Sequence, residues 1–121
     1  AQQGPEHPET LASMYRIGVC LEGQSRVAEA EEFYRRALEG YEAVLGPDHP
    51  DTLGTVFQLG CLLETRGNLA EAERLLRREL AGCEALHGPE HQHTRGSLRS
   101  LARVLRAAGK LGEAALLERR L

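Results

Sequence analysis

The sequence contains few aromatic residues and few cysteines. Among 121 residues there are no tryptophans, three tyrosines, two phenylalanines and three cysteines. The number of cysteines is odd, and none of them is in a C-x-x-C motif. They are Cys20, Cys61 and Cys83, and each falls within a helical pattern. Because neither a disulfide framework nor a zinc site explains that arrangement well, we expect buried, reduced thiols in a cytoplasmic protein.

Long apolar runs and a strong net charge are also missing. No run approaches the roughly 18 apolar residues that a membrane-spanning helix needs, and the N-terminus lacks a signal-peptide pattern. The net charge is -3 and aromatic residues make up 4% of the chain. Since nucleic-acid binding favours basic surfaces and stacking platforms, the sequence predicts neither a nucleic-acid partner nor a membrane partner.

Residues that would indicate catalysis are missing too. We find no Ser-His-Asp or Cys-His arrangement with a plausible orienting partner, no phosphate-binding loop and no cluster of metal ligands. The chain is therefore predicted not to be an enzyme and to need no metal or cofactor. A catalytic domain attached to the same protein stays possible.

A seven-residue pattern recurs in the sequence at intervals of 42 residues. It reads GPDHPDT at 46–52, GPEHPET at 4–10 and, in decayed form, GPEHQHT at 88–94. A fixed period of this size indicates a copied unit that buries its apolar face only against neighbouring copies. We predict one array over residues 1–121, with units at 4–45, 46–87 and 88–121, the last incomplete.

Each unit is predicted to be a helical hairpin followed by a loop. In the second unit, Leu53, Val56, Leu59 and Leu63 share one helix face, and Gly67 suits the left-handed position that ends a helix. Ser25 stands where Gly67 stands, so we expect the first turn to close differently, with Gly23 as a candidate.

The recurring loop carries start signals for the helix that follows. Pro8 and Pro50 fit a first helical turn, and acidic residues suit its positive dipole end and unpaired N–H groups. The acidic candidates are Glu6 or Glu9 in the first copy, and Asp48 or Asp51 in the second.

Histidines recur with the loop as well. His7, His49 and His91 lie one repeat apart, too far to share a metal ion. His87, His91 and His93 are close in sequence and could capture a transition metal, but a solvated loop is the favoured interpretation.

Small residues recur at positions where the two helices of each hairpin would approach closely. They are Gly18, Gly60 and Ala102 in the first helices and Ala30, Ala72 and Ala114 in the second helices. This pattern resembles the tetratricopeptide signature. The second helix runs about two turns longer than in the common repeat before the loop, which is similar to the 42-residue tetratricopeptide subfamily of kinesin light chains, nephrocystin-3 and arrays attached to signalling ATPases.

The resemblance implies an all-α fold, a right-handed α-solenoid of helix-turn-helix repeats, and a non-catalytic scaffold that binds other proteins. Two residues depart from the family pattern. Glu79 replaces the small residue represented by Ala37, and Glu118 stands where Tyr34 and Leu76 are expected to pack. Because the pattern stops within a second helix, the sequence is expected to be a piece of a longer array.

In tetratricopeptide arrays the first helix of each hairpin lines a concave groove that holds a partner segment. The resemblance therefore implies a peptide or protein ligand on that surface. The groove residues carried over are Tyr15, Arg16, Val19 and Glu22, then Phe57, Gln58, Cys61 and Glu64, then Arg99, Ser100, Arg103 and Arg106, with Ala12, Gly54 and Gly96 beside them. The asparagines that bond a bound peptide in kinesin light chains are missing, and Gln58 alone keeps an amide there.

Four arginines form one stripe on the first helix of the third unit. Arg95, Arg99, Arg103 and Arg106 follow one another at spacings of 4, 4 and 3. Such a stripe suits bidentate capture of carboxylates and favours an acidic peptide with one bulky apolar anchor. The alternative is a solvated face whose charges are satisfied by neighbouring acids.

A second function remains open at this stage. The ends of a solenoid expose apolar surface that can pair with another copy, so the chain could be a homo-oligomerisation module of a larger signalling or motor-adaptor protein.

Overall fold

The computed structural model describes residues 7–121, which form six α-helices joined by short turns. The helices are α1 (Pro8–Gly23), α2 (Val27–Leu45), α3 (Pro50–Thr65), α4 (Leu69–His87), α5 (Gln92–Ala107) and α6 (Leu111–Glu118). Within 7–121 there is no strand, and each helix packs against the next along the chain. The all-α solenoid expected from the repeats is confirmed. Gly4, Pro5 and Glu6 of the first loop lie outside the described residues.

The apolar stripes of the helices form the core. One cluster runs from Leu21 in α1 to Ala114 in α6, and a smaller one joins Leu11, Ala37 and Tyr41 in the first hairpin. The predicted close approaches are present. A Cβ atom added to Gly18 would lie 2.7 Å from Cε1 of Tyr34, so a larger residue there would force the two helices apart.

Two residues at positions equivalent to the apolar stripe of the second hairpin, Ile17 and Leu111, are exposed. Ile17 is 42% exposed, whereas its counterpart Leu59 is 1% exposed. The difference arises because α3 lies between α2 and α4, while α1 packs mainly against α2. Leu111 in α6 is 56% exposed, although Ala114 on the same stripe is fully buried.

The first turn closes in the same way as the others, so the expectation for Gly23 was wrong. Ser25 adopts a φ of 62°, close to the 83° of Gly67 and of Gly109. The N–H of Arg26 donates to the carbonyl oxygen of Leu21 at 2.8 Å, just as Asn68 donates to Leu63 at 2.9 Å. The serine therefore takes a left-handed conformation that normally favours glycine.

Histidines, rather than acidic residues, cap the N-terminal ends of the first helices. Nδ1 of His7, His49 and His91 accepts a hydrogen bond from the backbone N–H two residues later, at 3.0 to 3.1 Å. Glu9 and Asp51 lie in the first turns, where the helix dipole favours a negative charge. Pro8 and Pro50 begin their helices as predicted.

The recurring threonine fixes the loop to the preceding helix. The hydroxyl group of Thr52 donates to the carbonyl oxygen of Gly46 at 2.8 Å, and that of Thr94 donates to Gly88 at 2.7 Å. Both glycines have positive φ angles, near 90°. The loop motif thus has a structural role, because these bonds connect the end of one hairpin to the first turn of the next.

Candidate functional site

The surface formed by α1, α3 and α5, the first helices of the three hairpins, is called the groove below. It contains a cavity of about 550 Å³ between α3 and α5, with the C-terminal half of α4 as its floor. Gly54 and Gly96 leave its walls open, since a Cβ atom on either residue would meet no heavy atom within 4 Å. A partner segment could therefore approach the backbone of α3 and α5 closely.

Four of the sequence-predicted site residues line this cavity together. They are Tyr15, Phe57, Gln58 and Arg99. Tyr15, Phe57 and Gln58 are half-buried, whereas Arg99 is exposed. The combination offers aromatic surface, one amide and one cation within a single concave space, which is the usual composition of a site that binds a segment of another protein.

Other predicted site residues do not line the cavity. Arg16 lines a separate shallow pocket on α1 beside Ile17 and Cys20. Val19 is 42% exposed, and Ser100 is only 6% exposed because the helical turn points it towards the core instead of the groove. Cys20, expected to be buried, is exposed on α1, whereas Cys83 is buried and Cys61 is half-buried.

The arginine stripe is divided by internal pairing. Nε of Arg103 lies 2.8 and 2.9 Å from the two carboxylate oxygens of Glu64, and this contact raises the pKa of the Arg103 guanidinium group. Arg95 donates to the carbonyl oxygen of Leu121 at 2.9 Å. Arg106 forms an ion pair with Glu118. Arg99 is left without a hydrogen-bond or ion-pair partner among residues 7–121.

The pair formed by Arg106 and Glu118 explains one departure from the repeat pattern. At the same two positions of the first hairpin, the hydroxyl group of Tyr34 donates to the carboxylate of Glu22 at 2.8 Å. Burial, and then Glu22, raise the pKa of Tyr34. The third hairpin replaces that contact with an ion pair, so Glu118 remains near its partner at the surface instead of packing as Tyr34 does.

The floor of the cavity carries a buried carboxylate. Glu79 is 5% exposed, and its Oε2 accepts a hydrogen bond from the thiol of Cys83 at 2.8 Å. Burial, together with Glu79, raises the pKa of Cys83 to about 11, so the thiol keeps its proton at neutral pH. Oε1 of Glu79 has no hydrogen-bond partner in the part of the chain described.

Three histidines meet at one rim of the cavity. The ring centroids of His87, His91 and His93 lie 4.4 to 5.2 Å apart. Desolvation, and then the neighbouring imidazoles, lower the pKa of His91. Across positions 7 to 121 no group of three or more His, Cys, Asp or Glu side chains is placed to hold a metal ion. Over the same positions, no helix combines the length and apolar character needed to span a bilayer.

Comparison with known proteins identifies the class of fold. A family model for the tetratricopeptide repeat matches residues 1–43, 10–85 and 62–121, which together cover the chain. The chain therefore belongs to the tetratricopeptide repeat family. Proteins with this fold are typically non-catalytic scaffolds for protein interaction. No curated protein matches the chain.

Solved structures with a similar fold indicate the type of tetratricopeptide repeat. BtubC (BKLC) from P. vanneervenii shares the fold, with a TM-score of 0.88 and 20% identity, over 96% of this chain and 47% of that chain. A candidate kinesin light chain from Podosopora anserina with nearly identical TPR-like repeats gives a TM-score of 0.82 and 27% identity. That match, and one to a variant of the same protein with a TM-score of 0.83, covers 98% of this chain and 56% of the other.

The chain thus spans about half the length of these structures. The predicted kinesin light chain-like character of the repeats is confirmed.

Proposed function

We propose that the chain is a non-catalytic, cytoplasmic scaffold segment that binds a peptide or protein partner in the groove. The observation that carries this proposal is the cavity between α3 and α5, where Phe57, Gln58 and Arg99 face one open space. The general use of tetratricopeptide repeats in protein interaction supports the same conclusion. The three free thiols are in keeping with a reducing compartment.

Each of the three side chains has a distinct part in the proposed interaction. The half-buried ring of Phe57 offers an apolar contact to a bulky side chain of the partner. The amide of Gln58 can pair with the backbone of an extended segment, because it supplies both a donor and an acceptor. The guanidinium group of Arg99 can hold a carboxylate in a bidentate pair.

The proposed ligand is less acidic than the full arginine stripe would suggest. Arg103 and Arg106 are already paired with Glu64 and Glu118, so a ligand would have to compete with these carboxylates. Arg99 carries no such partner within residues 7–121. We therefore propose that one carboxylate of the partner contacts Arg99, next to an apolar side chain near Phe57.

Selection from a displayed library of short random peptides tests this proposal. Wild-type protein should enrich peptides that bind less tightly to Phe57→Ala and Arg99→Gln variants, each by about tenfold in Kd. Arg74→Gln is the matched control, because Arg74 is an exposed residue of α4 outside the cavity and loses the same charge. Calorimetric titration of each enriched peptide supplies the dissociation constants.

Two results would overturn groove binding. One is a selection in which the wild-type protein enriches no peptide at all. The other is a set of enriched peptides that bind all four proteins with equal affinity.

Self-association is the second candidate function. Ile17 on α1 and Leu111 and Leu116 on α6 are 42%, 56% and 59% exposed, so the first and last helices both present apolar side chains to solvent. A second copy could cover them. Light scattering over a range of concentrations should then show a dimer that Ile17→Ser and Leu116→Ser abolish, and a monomer at every concentration would remove this candidate.

A further inference from the structure

The floor of the groove cavity holds a carboxyl group whose hydrogen bonding the fold leaves incomplete. Glu79 is 95% buried, and Oε1 of its carboxylate has no partner within residues 7–121. Oε2 accepts a hydrogen bond from the thiol of Cys83, which carries no charge. A buried carboxylate is normally compensated by a cation, because its removal from water is costly. Glu79 lines the open cavity, but its unpaired oxygen is itself buried, so a positive group would reach that oxygen only after a small movement of the side chain.

The packing of the hairpin does not explain the carboxylate. The equivalent residue of the first hairpin is Ala37, which is fully buried in an apolar cluster with Leu11 and Tyr41. The two hairpins nevertheless share the same helix lengths and the same turn geometry. The neighbouring position changes as well, from Tyr41 in the first hairpin to Cys83 in the second, so Glu79 occupies part of the space that the smaller cysteine leaves. Volume alone would be met by an apolar side chain and does not account for the carboxylate.

No cation of the described chain reaches Glu79. Arg99 lines the same cavity but forms no ion pair with it, and Arg78, the preceding residue, pairs with Glu42 at 2.7 Å. A compensating cation would then have to come from outside residues 7–121. The space above the carboxylate is bordered by Leu53, Phe57 and Leu86, which can contact an aliphatic stem.

We infer that the groove cavity binds a lysine or arginine side chain of the partner, with its cationic head on Glu79 and its aliphatic stem against Leu53, Phe57 and Leu86. This inference rests on the proposed function and defines its ligand further. Combined with Arg99 at the edge of the cavity, it describes a segment in which a basic side chain lies close to a carboxylate.

Small peptide-like probes test the cation site without requiring a natural partner. Nα-acetyl-lysine N-methylamide carries the ammonium group, and Nα-acetyl-norleucine N-methylamide is a neutral analogue of similar length. In nitrogen–proton NMR spectra, the lysine probe should shift the amide signals of Gly54, Cys83 and Gly96. It should bind about tenfold more tightly than the norleucine probe.

Variants then assign the preference to one residue. Glu79→Gln keeps the shape of the side chain and should bring the two probes to equal affinity. Glu32→Gln is the matched control, since it removes the same charge from an exposed position on α2 and should keep the tenfold preference. The corresponding arginine probe shows whether guanidinium is accepted as well as ammonium.

The inference is overturned if wild-type protein binds the lysine and norleucine probes equally, a comparison that needs no variant. It is also overturned if the preference for lysine survives in Glu79→Gln. Neither result would affect the peptide selections described above. The opposite combination is also informative. If the selections enrich no peptide but the lysine probe still binds more tightly than the norleucine probe, the cation site exists and peptide binding in the groove does not.

Discussion

The first and second hairpins have the same backbone frame and opposite interiors. Where the first places Ala37 and Tyr41 in a buried apolar cluster, the second places Glu79 and Cys83 beside an open cavity. Helix lengths, turns and histidine caps are otherwise the same. The comparison shows that the same backbone frame accommodates Ala37 with Tyr41 in one hairpin and Glu79 with Cys83 in the next.

The strongest way to test this comparison is to place the carboxylate of the second hairpin in the first. Ala37→Glu should lower the free energy of unfolding by about 4 kcal/mol, because the charge would enter a buried apolar cluster without a cation. Urea denaturation followed by circular dichroism measures the change. Ala43→Glu, at an exposed position of the same helix, is the control and should change stability little. Equal effects of both variants would show that a carboxylate at position 37 is tolerated as well as one at the surface, and the comparison of the two interiors would fail.

The reverse exchange should have the opposite sign. Glu79→Gln removes an incompletely paired charge from the second hairpin and should raise the free energy of unfolding by about 1 kcal/mol. Glu84→Gln, whose carboxylate pairs at the surface with Arg120, should have no measurable effect. If Glu79→Gln destabilised the protein instead, the carboxylate would have a structural function, and the comparison of the two interiors would fail.

Exchanging the residues with positive φ in the turns of the two hairpins should have a smaller effect on stability. Ser25→Gly should stabilise the protein by about 0.5 kcal/mol, because glycine adopts a positive φ without steric cost. Gly67→Ser should destabilise it by a similar amount. Thermal melts of both variants measure these shifts. A loss of stability in Ser25→Gly would mean that the serine conformation is supported by contacts other than the backbone turn.

Ion pairs between hairpins predict how stability depends on pH. Arg35 pairs with Glu71 at 2.8 Å and Lys110 pairs with Glu73 at 2.9 Å, and these contacts lower the pKa of both carboxyl groups. The stabilisation is therefore present above the ordinary glutamate pKa of 4.5 and is lost as the pH falls through the lower folded-state value.

Each pair should contribute about 0.5 kcal/mol, since these side chains are partly exposed. Urea titrations between pH 7 and pH 3 should then show a smaller acid-induced loss for Arg35→Gln than for the wild type. An unchanged pH profile in that variant would remove the pair of Arg35 and Glu71 from the explanation.

The 42-residue period was sufficient to predict the fold. It indicated paired helices, and the small residues Gly18, Gly60 and Ala30 correctly marked where helices approach closely. Burial was harder to predict on a helix that contacts a single neighbouring helix, as the exposure of Ile17 shows. Periodicity identifies the apolar face of a helix but not which element covers that face. The histidine caps were missed because histidine is not a typical capping residue, although its recurrence with the loop was a signal for that role.

The candidate site was predictable only in part. Phe57, Gln58 and Arg99 follow from their positions on the first helices. The pairing of Arg103 with Glu64 could not be predicted, because it joins two helices whose separation depends on the angle between hairpins. Glu79 was visible as a departure from the repeat, but whether its carboxylate had a partner required coordinates.

The most direct measurement is a chemical-shift map of an isotope-labelled protein titrated with a peptide enriched in the library selection. The largest changes should fall on the amide signals of Gly54, Phe57 and Gly96, which border the groove cavity. Changes confined to the outer side of α1 around Ile17, or to α6, would show that partners bind elsewhere and would contradict the groove as the functional surface.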